Sequence, residues 1–364
     1  MRNEKCEMSK ISEIDKNFAV KDRVNNTELC FYDARLSPFE ISGVITENNQ
    51  FRRIPNAVAA SVSEGVASLN AHTAGGRLRF STDSAIIAIR AKAGKSLMPH
   101  MPFTGSSCFD LYDGTRYAGT FISEPSRPYC YDALITLPRC GMRNICINFP
   151  LYDSVDSLQI GILPDSKLTP PAPYRDALPV LYYGSSITQG GCASRPGNCY
   201  QAIISRRFNC DYRILGWSGN AKGEQTMAEY IAKQPMRLFF MDYDHNAESP
   251  EKLRATHEKF FLTIREQNPD LPVIFATKTD IPRSPEDAED FKRRREIVRA
   301  TYENALRRSD KNVRFIDGST VFKNAAALLA AADSCTVDGC HPNDLGFACM
   351  AKAFGDSIAD ILGW

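Results

Sequence analysis

Up to about residue 165 the chain alternates apolar and polar positions over short runs. Leu78-Arg79-Phe80-Ser81 switches residue by residue, and Ala85-Ile86-Ile87-Ala88-Ile89 is a β-branched run. Both predict strands, because successive side chains on a strand point to opposite faces. Phe109 to Tyr117 sets Asp113-Gly114 between aromatic flanks, a strong hairpin signal. Further strand-like runs are Asp132 to Leu137, Asn144 to Phe149 and Ser157 to Ile162. Short strands separated by polar turns predict an all-β sandwich, jelly-roll-like, over residues 1–165.

Leu163 to Pro173 holds four prolines in eleven residues. Neither a helix nor a central strand survives that density, so a Pro-rich linker is predicted over residues 166–178. From residue 179 to 364 the rhythm changes to strand then helix. Strands are predicted over Val180 to Tyr183, Tyr212 to Trp217, Leu238 to Tyr243, Val273 to Thr277 and Val313 to Ile316. Helices are predicted over Cys199 to Arg207, Glu224 to Ala232, Pro250 to Glu266, Asp287 to Arg308 and Asn343 to Leu362. This alternation predicts an α/β fold with a parallel sheet between two helical layers, whose ligands gather beyond the carboxyl ends of the strands.

Composition narrows the function classes. The 364 residues suit two domains, and 43% hydrophobic with 24% charged residues is ordinary for a globular protein. A net charge of +1 offers no global attraction for nucleic acid or anionic lipid. Lys292-Arg293-Arg294-Arg295 is the one dense basic run, and it reads as a solvated helix face among acidic residues. No apolar run reaches the length of a membrane span, and Met1 to Asn17 is polar without a signal core. The chain as written is therefore expected to be cytoplasmic, or periplasmic or secreted if a leader was removed. Twelve cysteines are too sparse for a disulfide scaffold, and the spacings Cys192/Cys199 and Cys335/Cys340 do not fix a pairing.

Two segments carry candidate chemistry. Gly184-Ser185-Ser186-Ile187-Thr188-Gln189-Gly190 follows the first predicted strand of the α/β half, and Asp338-Gly339-Cys340-His341-Pro342 precedes the last helix. A hydroxyl at a strand end flanked by glycines can reach a substrate carbonyl, and it needs a base. His341, with Asp338 three residues earlier, is the well-formed candidate pair. Two more strand ends carry Trp217-Ser218-Gly219-Asn220 and Asp242-Tyr243-Asp244-His245-Asn246.

These four blocks, in this order, resemble the SGNH hydrolases, also called the GDSL family, over roughly residues 179–364. The resemblance implies a flavodoxin-like three-layer α/β/α domain that works as a serine esterase without a cofactor. It further implies Ser186 as nucleophile, His341 as base, Asp338 as its orienting carboxylate, and Ser186, Gly219 and Asn246 as the oxyanion hole. Two departures stand out: Ser185 occupies the position of the family's usual aspartate, and the third block lacks the common Gly-x-Asn spacing.

Trp217 and Arg195 are candidate substrate contacts, with packing at the strand end the alternative for Trp217 and a neighbouring carboxylate the alternative for Arg195. Asp242, Asp244 and His245 invite a metal reading, but acceptance of loop amide hydrogen bonds suits the carboxylates better, so no metal is expected. A β-sandwich followed by an SGNH domain resembles some two-domain carbohydrate esterases. That likeness implies removal of O-acetyl groups from a carbohydrate, with a lipid esterase or thioesterase, or an inactive glycan-binding protein, as alternatives. No nucleic-acid partner is expected, and the oligomeric state is open.

Overall fold

A computed structural model describes residue 24 and residues 27–96, 98–124, 126–138, 141–279, 281–323 and 331–364; the polar stretch Met1 to Asn17 lies outside them. Among the described residues, twelve strands fill the first part of the chain: β1 (Cys30–Asp33), β2 (Glu40–Ser42), β3 (Ile45–Glu47), β4 (Gln50–Arg52), β5 (Arg77–Thr82), β6 (Ile86–Ala93), β7 (Phe109–Asp113), β8 (Arg116–Phe121), β9 (Cys130–Thr136), β10 (Arg143–Asn148), β11 (Val155–Ile162) and β12 (Leu168–Thr169). They form two main antiparallel sheets, ordered β1-β11-β6-β9 and β12-β5-β10-β7-β8, with β2 added to β5. Alternate residues of both sheets meet in one core. Leu78, Phe80, Ile145 and Ile147 from one sheet pack with Ile87, Ile89, Leu158 and Ile160 from the other. That is a sandwich. The β7–β8 hairpin closes at Asp113 and Arg116, and Gly114 there takes a left-handed φ of 58°.

This half is not all-β. Helices α1 (Asn56–Val62), α2 (Glu64–Leu69) and α3 (Phe103–Ser106) interrupt the strands. Such short helices are marginal on their own and leave little periodic trace in a sequence. Ile54, Ala59 and Val66 instead pack into the core of the α/β half.

The second half contains β13 (Val180–Gly184), α4 (Ser186–Gln189), α5 (Tyr200–Phe208), β14 (Tyr212–Gly216), α6 (Gln225–Ala232), β15 (Leu238–Asp242), α7 (Pro250–Gln267), β16 (Val273–Ala276), α8 (Pro285–Arg307), β17 (Val313–Ile316) and α9 (Asp344–Leu362). The sheet is parallel and ordered β14-β13-β15-β16-β17, the flavodoxin-like arrangement. Tyr182 and Val180 face one layer with Ile204, Phe347 and Phe354, while Leu181 and Tyr183 face the other with Met227, Leu253 and Phe260. Each helical layer thus covers one side of a strand whose side chains alternate.

The two halves are welded by arginines. Arg53, fully buried, lies 3.9 Å over the Trp217 ring and donates to the carbonyls of Gly216 and Leu69. Burial pushes its guanidinium down to about 9, and Tyr152 opposes this. Arg77 lies 3.6 Å over the Tyr212 ring, pairs with Asp211 and donates to the Tyr212 carbonyl. The Pro-rich segment is strapped to the sandwich: β12 pairs with β5, Arg79 donates to the Ala172 carbonyl, and Arg77 to the Tyr174 hydroxyl. Ala74, Met101, Leu151 and Tyr152 also enter the α/β core, so the hydrophobic cores cross the composition boundary.

A fragment starting near residue 175 would bare Trp217, Tyr212 and the β14 edge. It should lack a cooperative thermal transition and collect in the insoluble fraction; a sharp, reversible melt of that fragment would contradict the shared core. A second expectation concerns His257, buried at 1% exposure beside Thr301 and pushed down to about 3 by burial. The unfolded chain binds this proton first as pH falls below about 6.5, so stability is lost on acidification, by up to about 1.4 kcal/mol per pH unit from this group. His257→Gln should flatten the dependence of the urea midpoint on pH between about 6.5 and 4. The same slope in both proteins would remove His257 from the account.

Candidate active site

The first block is shaped by close backbone approach. β13 ends at Gly184, level with Gly216 of β14 and Asp242 of β15. A Cβ at Gly216 would lie 2.2 Å from the Gln189 nitrogen, and one at Gly184 would lie 2.2 Å from the Asp242 carbonyl oxygen. Only glycine lets α4 settle across these strand ends. Ser185 caps α4, its hydroxyl accepting from the Ile187 N–H at 3.2 Å. Ser186 is thereby the first helical residue, where the backbone N–H has no acceptor within the helix. Its carbonyl accepts from the Gly191 N–H at 2.8 Å and the Tyr152 hydroxyl at 3.0 Å, which pins the residue from both sides.

The last block meets it. Ser186 Oγ is 2.9 Å from His341 Nε2, and His341 Nδ1 is 2.8 Å from Asp338 Oδ2. Asp338 Oδ1 accepts the backbone N–H groups of His341 at 2.7 Å and Cys340 at 2.9 Å. Burial works against the charged carboxylate, but the donors from His341 and Cys340 outweigh it and hold its pKa well below the usual carboxylate range. A charged Asp338 fixes the tautomer, with the proton on Nδ1 and the Nε2 lone pair facing the serine hydroxyl.

The two middle blocks lie at neighbouring strand ends. Gly219 is exposed at a left-handed φ of 67°, and among the described residues its N–H finds no acceptor. Asn246 follows β15 in a short helical turn; its Nδ2 donates one hydrogen to the Trp217 carbonyl at 2.9 Å, and its amide carries a second. β13 and β15 bracket the point where the strand order reverses, the usual place for a ligand in such sheets.

Several supporting residues leave no motif in the sequence. Gln189 donates to the Leu151 carbonyl at 3.1 Å and lies 3.2 Å from His72 Nδ1, while its Oε1 accepts the Ser218 N–H at 3.2 Å. Burial, with Arg53 nearby, pushes His72 down to about 4, so the ring is neutral near pH 7. Arg294, from the basic run, donates to the carbonyls of Asp244 at 2.7 Å and Ala247 at 2.8 Å, holding the turn that carries Asn246. From the same run, Arg293 pairs with Glu251 and Arg295 with Asp317.

The two candidate substrate contacts and the acidic strand end have other partners. Trp217 is fully buried beneath Arg53 and offers no face to a substrate. Arg195 donates to the Tyr112 hydroxyl at 3.0 Å and Asn198 Oδ1 at 2.7 Å, approaches buried Asp110 at 3.9 Å and lies 4.0 Å over the Tyr117 ring. It belongs to the junction with the sandwich. Asp110 itself accepts the Gly197 N–H at 2.8 Å; a carboxylate midway along a buried strand was the available signal for this contact. Asp242 accepts from Thr188 and Asp244 from the Lys278 N–H, while His245 Nε2 lies 3.1 Å from Cys340 Sγ. Among the described residues these three do not converge on a common point. Cys192, Cys199, Cys335 and Cys340 are free thiols. Among the described residues no helix is long and apolar enough to cross a membrane.

Residues 177–359 match the model of the GDSL-like lipase/acylhydrolase family, and residues 29–168 match the model of the N-terminus of SGNH-hydrolase-type esterases. The fold is similar to that of a protein from Bacteroides ovatus described as a GDSL-like lipase, at 28% identity and a TM-score of 0.81, covering 92% of this chain and 98% of that one. It is also similar to the salicylyl-acyltransferase SsfX3 from a tetracycline biosynthetic pathway, at 20% identity and a TM-score of 0.74, covering 92% of this chain and 97% of that one. A family two carbohydrate esterase from Clostridium thermocellum, in complex with cellohexaose, shares the fold at 14% identity and a TM-score of 0.55, covering 80% of this chain and 94% of that one. A comparison with curated proteins gives no match. With half of its length matched by the family model and the serine, glycine, asparagine and histidine blocks gathered at one sheet edge, the chain belongs to the GDSL-like lipase/acylhydrolase family.

Proposed function

We propose that this protein is a serine esterase that removes a short acyl group, acetyl foremost, from a carbohydrate. The observation that carries the reading is the unbroken hydrogen-bond string from Ser186 Oγ through His341 to Asp338. Ser186 Oγ attacks the ester carbonyl as its proton passes to His341 Nε2. The oxyanion is received by the N–H groups of Ser186 and Gly219 and by the free hydrogen of Asn246 Nδ2. Collapse breaks the C–O bond, and His341 returns the proton to the departing alcohol. Water then attacks the acyl-enzyme by the same steps in reverse, while Asp338 remains ionised throughout.

Two features support a short acyl group on a polar alcohol. Polar groups flank the serine: the His100 ring lies 5.4 Å from that of His341, and Gln189 reaches both His72 and the Ser218 N–H. The sandwich also abuts the site, because the Cys192 thiol donates to the His100 carbonyl at 3.5 Å and Thr104 to the Ser194 carbonyl at 2.5 Å. A sugar could therefore meet both halves of the chain. The carbohydrate esterases sharing this architecture agree with the reading at the level of fold.

Asn246→Ala should lower kcat on p-nitrophenyl acetate by about 10²-fold with little change in KM, since the lost donor acts on charge that develops in the transition state. A normal kcat accompanied by a lowered melting temperature would make Asn246 a turn residue only. On a panel of p-nitrophenyl esters, acetate should be favoured over octanoate, and acetate should be released from acetylated oligosaccharides. Rising kcat/KM with chain length would replace this reading with that of a lipid esterase.

A further inference from the structure

His100, Cys192 and His341 each offer one ligand atom, and these atoms all lie within 4.8 Å of one another. They come from three separated segments: the loop before α3, the turn after α4 and the loop before α9. The His100 and His341 rings have centroids 5.4 Å apart. Cys192 is buried and adopts a left-handed φ of 75°, a conformation that costs a non-glycine residue energy, and its thiol donates to the His100 carbonyl at 3.5 Å. His100 is exposed, so the corner opens to solvent.

The donor set has a definite chemical preference. One thiolate and two imidazoles suit Zn²⁺, which takes tetrahedral sites with Zn–N near 2.0–2.1 Å and Zn–S near 2.3 Å. Those bond lengths place the ligand atoms about 3.3–3.6 Å apart. The exposed His100 side chain can supply the small closure needed. Asp338 already holds the His341 Nδ1 proton, the carboxylate–histidine arrangement that orients zinc-binding imidazoles. The Nε2 lone pair available to a metal is the one that faces Ser186 Oγ.

We infer that His100, Cys192 and His341 form an inhibitory Zn²⁺ site that competes with Ser186 for the His341 Nε2 lone pair. Binding forms one Zn–S and two Zn–N bonds, and the Cys192 thiol proton leaves to solvent. The metal takes no part in the reaction and suppresses it reversibly by occupying the base. The inhibition rests on the esterase reading; the metal site does not.

The two parts separate experimentally on the full-length protein. Co²⁺ should produce a thiolate-to-cobalt charge-transfer band and the visible bands of tetrahedral cobalt, both erased by Zn²⁺ and absent in Cys192→Ser. Hydrolysis of p-nitrophenyl acetate should fall with Zn²⁺ and recover with EDTA, and His100→Ala and Cys192→Ser should each need at least about tenfold more Zn²⁺ for half-inhibition. An unchanged cobalt spectrum in Cys192→Ser, or unchanged Zn²⁺ sensitivity in both variants, overturns the proposal. A Cys192-dependent cobalt spectrum in a protein without ester hydrolysis would uphold the metal site and fail the esterase reading instead.

Discussion

The structure depends on how one edge strand is covered. β14 lies at the edge of the parallel sheet, where its free backbone groups would otherwise be open to pairing with another chain. The sandwich half clamps it at both ends. Arg77 holds its start through Asp211 and Tyr212, and Arg53 holds its end through the Gly216 carbonyl and the Trp217 ring. A buried guanidinium is expensive unless its donors find acceptors, so Arg53 stays where the Gly216 and Leu69 carbonyls are.

That clamp reaches the chemistry directly. The residues after β14 carry the proposed oxyanion glycine, and Gln189 ties the Ser218 N–H to α4, the helix that begins with Ser186. Asn246 adds a bond back to the Trp217 carbonyl, and Arg294 fixes the turn that presents Asn246. Serine, glycine loop and asparagine are therefore cross-linked to one another before any substrate arrives. Preorganised donors of this kind stabilise a developing oxyanion without reorganising at the moment of reaction.

The parallel sheet was legible because each strand is a compact apolar run bounded by turn residues. The pattern predicts β17 over Val313 to Ile316, the range observed, and the other strands of that sheet differ by a residue or so at their ends. Asp338 and His341 were legible because their spacing is local. Arg53 was not, since its meaning lies in a carbonyl 163 residues away. Trp217 beside the proposed oxyanion glycine looks the same in sequence whether it faces a sugar or an arginine; only the packing of the sandwich decides. The short helices α1 and α2 escaped for a related reason, because their apolar residues answer to the core of the other half.

If Ser186 is a nucleophile activated through His341, it will react with electrophiles that simple alcohols ignore. A fluorophosphonate, which reacts with activated serines, followed by intact-mass and peptide-level mass spectrometry, tests this most directly. A single adduct is expected on Ser186, forming in the native protein and slowing greatly in His341→Ala. A folded protein that forms no adduct, or one labelled at another residue with the same rate in His341→Ala, would contradict it.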